Sequence, residues 1–356
     1  MKTIVYLFVC LLFCACGGGR GNGHAERVVV DALGRAVALP DTVERVVCIR
    51  ASAIRLVTYA GGAGKICGVE EQETRPQAYS HLLAHPELAA QPVIGPGMGG
   101  DPELIVAACP QVIFMSCTTA GEADELQRRT GIPVFTVEYG DLGRNRPRFY
   151  ESLRQIACVL HTEAHTDSLI DYIDGQLAEL RRRTAGEERS PKVYVGGISY
   201  KGQKGIASTD PYYPAFAFLG VDNVASRIDS ACVSAVNGTY IDWEQLAEWN
   251  PDVIFVDRGG RSLVEEEFRT RRGLNVLLRA WHDRRVYILW PYNDHHANFG
   301  VMLANAWYAG KVLFPERFAD ISAEAKTDEI MTRFVGRPVA AALVARWGNY
   351  SNFFEP

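Results

Sequence analysis

The sequence predicts an α/β protein of two similar lobes joined by a single long helix, with a ligand cleft between the lobes. Three observations carry this reading. Short β-rich runs alternate with helical stretches along most of the 356 residues, the order that gives a parallel sheet flanked by helices. One phrase is written twice: "DPELIVAACPQVIF" from Asp101 and "DWEQLAEWNPDVIF" from Asp242 share 6 of 14 letters. Between the two halves runs one amphipathic stretch of helical period.

The elements follow in chain order. "MKTIVYLFVCLLFCACGGG" has one lysine and then an apolar run from Ile4 to Phe13, too short to span a bilayer and typical of a secretory leader. Small residues before Cys16 and glycines after it resemble a bacterial lipobox. Residues 1–15 are therefore expected to be a lipoprotein signal peptide, Cys16 the lipidated first residue, and 16–26 a tether. The first α/β lobe is expected over 27–160, with strands at "RVVCI" (45–49), "ICGV" (66–69), "VIFM" (112–115) and "VFTV" (134–137). Helices start near Ser52, Asp101 and Ala120. The bridging helix is expected over 161–187, where Leu169, Ile170, Ile173, Leu177 and Leu180 recur at helical spacing. Thr162 or Thr166 can cap its start, and Gly186 ends the pattern. The second lobe, 188–356, repeats the plan with "KVYVGGI" (192–198), "VIFVD" (253–257) and "RVYILW" (285–290).

In both copies of the repeated phrase Asp suits an N-cap and Glu falls in the first turn, where capping and the helix dipole favour carboxylates. Local capping explains the letters. It does not explain why a helix, a proline and a buried strand recur together, which similar lobes do explain.

Composition narrows the function. A net charge of -5 opposes a nucleic-acid binder, and 47% apolar with 22% charged residues is the balance of a soluble globular protein. Six cysteines (Cys48, Cys67, Cys109, Cys117, Cys158, Cys232) lie beyond the leader without a C-x-x-C pair, and read as small buried hydrophobes. No nucleophile elbow is present. "GPGMGG" (95–100) matches a dinucleotide fingerprint by letter only, since it lacks the strand before and the acid after, and reads as a turn into the Asp101 helix.

"VVVDALGRAVALPDTVERVVCI", "GAGKICGV" and both copies of the E-x-[LI]-x(5)-P-x-V-I-F phrase together resemble the periplasmic substrate-binding proteins of ABC importers for iron complexes and vitamin B12. The resemblance implies two Rossmann-like lobes on a helical backbone and a small hinge motion, since a rigid helix resists wide opening. It implies a monomer of the bacterial cell envelope, lipid-anchored and facing the periplasm or the extracellular side, with an ABC permease dimer and its ATPase as partners. Carried onto matching positions, Glu103 and Glu244 become one permease-docking acid per lobe. The cargo is expected to be an iron chelate, siderophore or haem, with a corrinoid such as cobalamin as alternative; no cofactor of the protein's own is expected.

Cleft residues are sought at the carboxyl ends of strands. These are Arg50, Ser52, Thr118, Tyr139, Tyr200, Lys201, Tyr212, Arg258, Tyr292, His295 and His296, the arginines being suited to carboxylates of an anionic ligand. Tyr213 and Phe216 either extend an aromatic wall or pack the second lobe. His295 or His296 can reach the iron of a bound complex. The alternative from another class is an envelope zinc enzyme using His295, His296 and Asp294; adjacent histidines point apart, which disfavours it.

Overall fold

The computed structural model describes residues 26–50, 53–75, 79–186, 190–199, 202–234, 238–271, 273–293 and 296–355. The chain opens with an antiparallel hairpin, β1 (Glu26–Val30) and β2 (Ala36–Pro40). Asp31 closes its turn by accepting from the amides of Leu33 and Arg35, and Gly34 supplies the left-handed step at φ 77°. Three strands, β3 (Val46–Ile49), β4 (Val112–Ser116) and β5 (Val134–Val137), then form a parallel sheet in the order β3-β4-β5. Their side chains enter apolar clusters on both faces, Val46, Cys48 and Phe114 on one side and Val47, Ile49 and Met115 on the other. Burial on both faces is why these strands read as unbroken apolar runs.

The strand expected at 66–69 reduces to two single bridges, Val46 with Ile66 and Val69 with Val93. Cys67 donates its amide to Val46, whereas Val69 donates to Pro92, so the chain changes neighbours at Gly68. A Cβ on Gly68 would lie 2.5 Å from Ile94, so only glycine fits that crossing.

The bridging helix runs over Glu163–Thr184 and buries Leu169, Ile170, Ile173, Leu177 and Leu180. Its 22 residues reach about 33 Å, and each buried aliphatic side chain contributes roughly 1.5–3 kcal/mol. Thr162 occupies the cap position without a capping hydrogen bond, and Thr166 is buried within the helix. Packing, rather than its cap, holds this helix in place.

The second lobe contains β6 (Lys192–Gly196), β7 (Ser208–Thr209), β8 (Asp222–Asn223), β9 (Thr239–Tyr240), β10 (Val253–Asp257) and β11 (Val286–Leu289). Strands β11-β10-β6-β8 form a parallel sheet, and β7 pairs antiparallel with β9. One continuous apolar core joins Ile156 of the first lobe, Ile173 of the bridging helix, Phe255 of the second lobe and Trp307 of the helix Phe299–Leu313. Separating the lobes would divide that core, which favours small adjustments over wide opening. Among the described residues no helix is long and apolar enough to cross a membrane.

The repeated phrase folds alike twice. The Asp101 carboxylate accepts from the amides of Glu103 and Leu104 and starts the helix Pro102–Ala107; Asp242 accepts from Gln245 and starts Trp243–Trp249. Each helix leads through a proline into a buried strand, β4 or β10, and leaves Glu103 or Glu244 exposed.

The cysteines depart from expectation. All six are free thiols, but only Cys48 and Cys67 are buried; Cys158 is half-buried and Cys109, Cys117 and Cys232 are exposed. Cys109 and Cys117 flank β4 in left-handed conformations, φ 51° and 48°, where the chain leaves the core. Apolar neighbours in sequence therefore do not guarantee burial at a strand end.

Candidate functional site

The cleft lies beyond the carboxyl ends of the parallel strands, where open α/β sheets bind ligands. At the end of β3, Arg50 adopts φ 66° and turns its guanidinium inward. Both terminal nitrogens donate to Glu122 at 3.0 Å, and one also donates to the Cys117 carbonyl at 3.0 Å. Thr118 and the Thr119 amide donate to the same carboxylate at 3.1 and 3.0 Å, within a capping box on the helix Ala120–Thr130. The Arg50 hydrogen bonds, followed by those from Thr119 and Thr118, hold the Glu122 carboxyl down to about 2. Arg50 and Thr118 are thus committed to shaping the cleft wall.

Beneath them Glu70 accepts from the amides of Arg50 and Gly99 at 3.1 and 2.9 Å, tying the end of β3 to the glycine turn 95–100. Burial raises the Glu70 carboxyl above its ordinary range.

Tyr139, just beyond β5, donates its hydroxyl to the Ala297 carbonyl and lays its ring 4.4 Å from that of His296. Arg55, fully buried, donates to the His296 and Ala297 carbonyls, both at 3.0 Å. Asn298 donates to Ser80 at 3.0 Å and caps the helix Phe299–Leu313. Side chains of the first lobe therefore fix the loop that follows β11. His296 sits in that loop at φ 74°, with its Nε2 3.8 Å from the Cys117 sulfur. Cys117, Thr118, Tyr139, Asn145, Arg148 and His296 line a cavity of about 540 Å³. Arg148 is ion-paired to Glu138 on its rim.

On the second lobe, Tyr292 is buried and donates to Asp210 at 2.8 Å. Burial raises the Asp210 carboxyl, against the pull of that hydrogen bond. Tyr213 and Phe216 are core residues, whereas Tyr212 is exposed and lies 4.2 Å beneath the Arg144 guanidinium of the first lobe. Of the two outcomes open to the aromatic stretch, packing describes Tyr213 and Phe216. Arg258, at the end of β10, is half-buried against Gly348, and among the described residues its guanidinium has no hydrogen-bond or ion-pair partner. Burial, then the neighbouring Arg261, lowers its pKa. Among the described residues the buried Ser199 hydroxyl is also without a partner, and it lies beside Gly259.

Cys16, Ser52, Tyr200, Lys201, Asp294 and His295 lie outside the described residues. The structure brings Thr118, Tyr139 and His296 around one cavity, and sets Arg50 behind it, bonded to Glu122. Cys117 and Arg55 escaped the sequence reading. Cys117 follows β4 by the same strand-end rule that pointed to Thr118; Arg55 lies within a helix and carries no signal of its burial. Among the described residues no three His, Cys, Asp or Glu side chains converge as a metal cluster.

The family of periplasmic binding proteins matches residues 46–292. The chain belongs to that family. It is 20% identical over 348 residues to the molybdate-binding protein MolA of Haemophilus influenzae, covering 91% of this chain and 95% of MolA. A periplasmic solute-binding protein of Veillonella parvula superposes with a TM-score of 0.69 at 16% identity, covering 91% of this chain and 97% of that one. The periplasmic haem-binding protein HutB of Vibrio cholerae superposes with a TM-score of 0.55 at 18% identity, covering 76% and 99%. The expected kinship with the siderophore, haem and vitamin B12 type of binding protein thus holds for family and fold. This periplasmic binding protein is the solute-binding component of an ABC transporter and not an enzyme, which sets aside the zinc-enzyme alternative.

Proposed function

We propose that this periplasmic binding protein captures a metal complex, an iron siderophore or haem, between its lobes and delivers it to its ABC permease. The observation that carries this reading is the cavity of about 540 Å³, within the roughly 300–1,000 Å³ range of small-molecule sites. Its arginines, Arg50 behind the wall and Arg148 on the rim, are already matched by Glu122 and Glu138. A wall so neutralised suits a bulky complex with apolar surface better than a bare anion.

A second reading, a small oxyanion, is favoured by Arg258 and the unpartnered Ser199 hydroxyl. A free guanidinium fork suits an oxyanion, and MolA is named for binding molybdate. Titrating leaderless protein with haemin, cyanocobalamin, ferric siderophores and molybdate, followed by absorbance and tryptophan fluorescence, separates the two. Saturable binding of a metal complex supports the first reading; a response to molybdate alone replaces it with the second.

The same reading places Cys16 as the lipid attachment point after a leader of residues 1–15, with a tether to 26, lobes at 27–160 and 188–356, and the bridge at 161–187. Glu103 and Glu244, exposed in equivalent positions, serve as the two permease-docking acids, giving orientation through salt-screened attraction. Replacing both with Ala should reduce uptake at least tenfold while solute affinity stays unchanged. Uptake that survives the double substitution removes their assigned role.

A further inference from the structure

We infer that Cys117 and His296 form a two-ligand site for a borderline-soft metal centre, built across the lobe interface and open to the cleft. The inference rests on reading the cleft as the solute site and names the atoms that would meet the cargo's metal. Cys117 comes from the end of β4 in the first lobe and His296 from the loop after β11 in the second. Their sulfur and Nε2 stand 3.8 Å apart and both residues line the cavity. Metal–sulfur and metal–nitrogen bonds of about 2.3 and 2.0–2.1 Å at a tetrahedral angle put the two donors about 3.5 Å apart. A metal ion therefore fits between them after a shift of a few tenths of an ångström.

The backbone holds both donors ready. Each residue is non-glycine at positive φ, 48° for Cys117 and 74° for His296, a conformation concentrated at functional sites. Each also has its carbonyl held at 3.0 Å by an arginine, Cys117 by Arg50 and His296 by Arg55. As a hydrogen bond, a thiol and an imidazole at 3.8 Å contribute little. Two fixed arginines thus position a contact that is weak without a metal.

A thiolate and an imidazole select first-row transition metals over Mg²⁺ or Ca²⁺, which prefer oxygen. Coordination converts the Cys117 thiol to thiolate and releases one proton per metal. The remaining coordination positions face the cavity, where water or the donors of a chelate complete the sphere. The metal can arrive as a free ion held by both donors, or inside a haem, whose axial position takes one of them.

Two titrations of reduced, leaderless protein distinguish these sources: cobalt(II) chloride and haemin, each with wild type, Cys117→Ser, His296→Asn and the control Cys232→Ser. Asn tolerates positive φ, so His296→Asn keeps the loop geometry. Cobalt is expected to give a near-ultraviolet thiolate charge-transfer band in wild type and the Cys232 variant, absent from Cys117→Ser. His296→Asn should weaken cobalt binding by more than about 100-fold, beyond the usual cost of losing an outer-sphere partner. No cobalt band, but a haemin spectrum altered by one of the two variants, assigns that donor to the axial position of a bound haem. Haemin binding indistinguishable among all four proteins, with no cobalt band, overturns the site while the metal-complex reading stands. Cobalt binding that needs both residues, with no haemin bound, keeps the site and removes haem as the cargo. No response to either probe overturns the inference.

Discussion

Arg50 and Arg258 both follow the last residue of a buried parallel strand, β3 in the first lobe and β10 in the second, yet they are used differently. Arg50 is bound on both terminal nitrogens by Glu122, while Arg258 has no partner among the described residues. The cause lies in the neighbouring helices. Ala120–Thr130 opens with a Thr119 capping box that places Glu122 in the first turn. Arg261–Thr270, which follows β10, opens at Gly260 with no acid in its first turn and no side-chain cap. One lobe spends its strand-end charge on shaping the loop; the other leaves its charge unmatched among the described residues. Similar lobes can therefore divide labour through one residue of a helix cap.

A third arginine sets the scale of the largest expected effect. Arg55 is fully buried and holds the His296 and Ala297 carbonyls, so Arg55→Ala takes a donor from both and leaves a void behind them. Urea denaturation should show a loss of about 3 kcal/mol or more. A loss below about 1 kcal/mol would mean that the lobe interface does not depend on this arginine.

Next comes the comparison itself. If the ligand carries an anionic group, Arg258→Ala should weaken binding by about 10- to 100-fold, the worth of one charged hydrogen bond. Arg50→Ala should cost less than Arg258→Ala, and only through the cleft wall and the Cys117 carbonyl that it holds, because its charge is already matched. Isothermal titration of the two variants against the solute that wild type binds reads both values. Equal losses would dissolve the distinction between the lobes.

The fold was legible in the sequence because its signals are local and repeated. The runs "VIFM", "VFTV" and "VIFVD" are buried strands, and the bridging stretch is the helix Glu163–Thr184. Legibility failed where partners lie far apart in the chain. The run "ICGV" looks like a strand but changes neighbours at Gly68 to reach Pro92, which no period reveals. The pairing of Arg50 with Glu122 spans 72 residues and that of Cys117 with His296 spans 179, so strand-end reasoning found the region but not the contacts. Burial of Arg55 was hidden because its acceptors are backbone carbonyls more than 240 residues away.

The smallest effect concerns the matched pair itself. Glu122 is held down to about 2 from an ordinary value of 4.5, first by Arg50 and then by its caps. A carboxyl depressed in the folded state contributes stability that is present above the unfolded value and lost as pH falls through the folded one. The window therefore runs from about pH 4.5 down to about pH 2. Because Glu122 is exposed, salt screens the effect and its size is small. In Arg50→Ala the carboxyl carbon of Glu122, followed by NMR, should titrate closer to its ordinary value, and the wild type's added acid resistance within that window should shrink. A midpoint unchanged by the substitution would mean that Thr118 and Thr119 alone hold the carboxylate. Arg50 would then be as available to a ligand as Arg258, and the contrast between the lobes would lose its electrostatic basis.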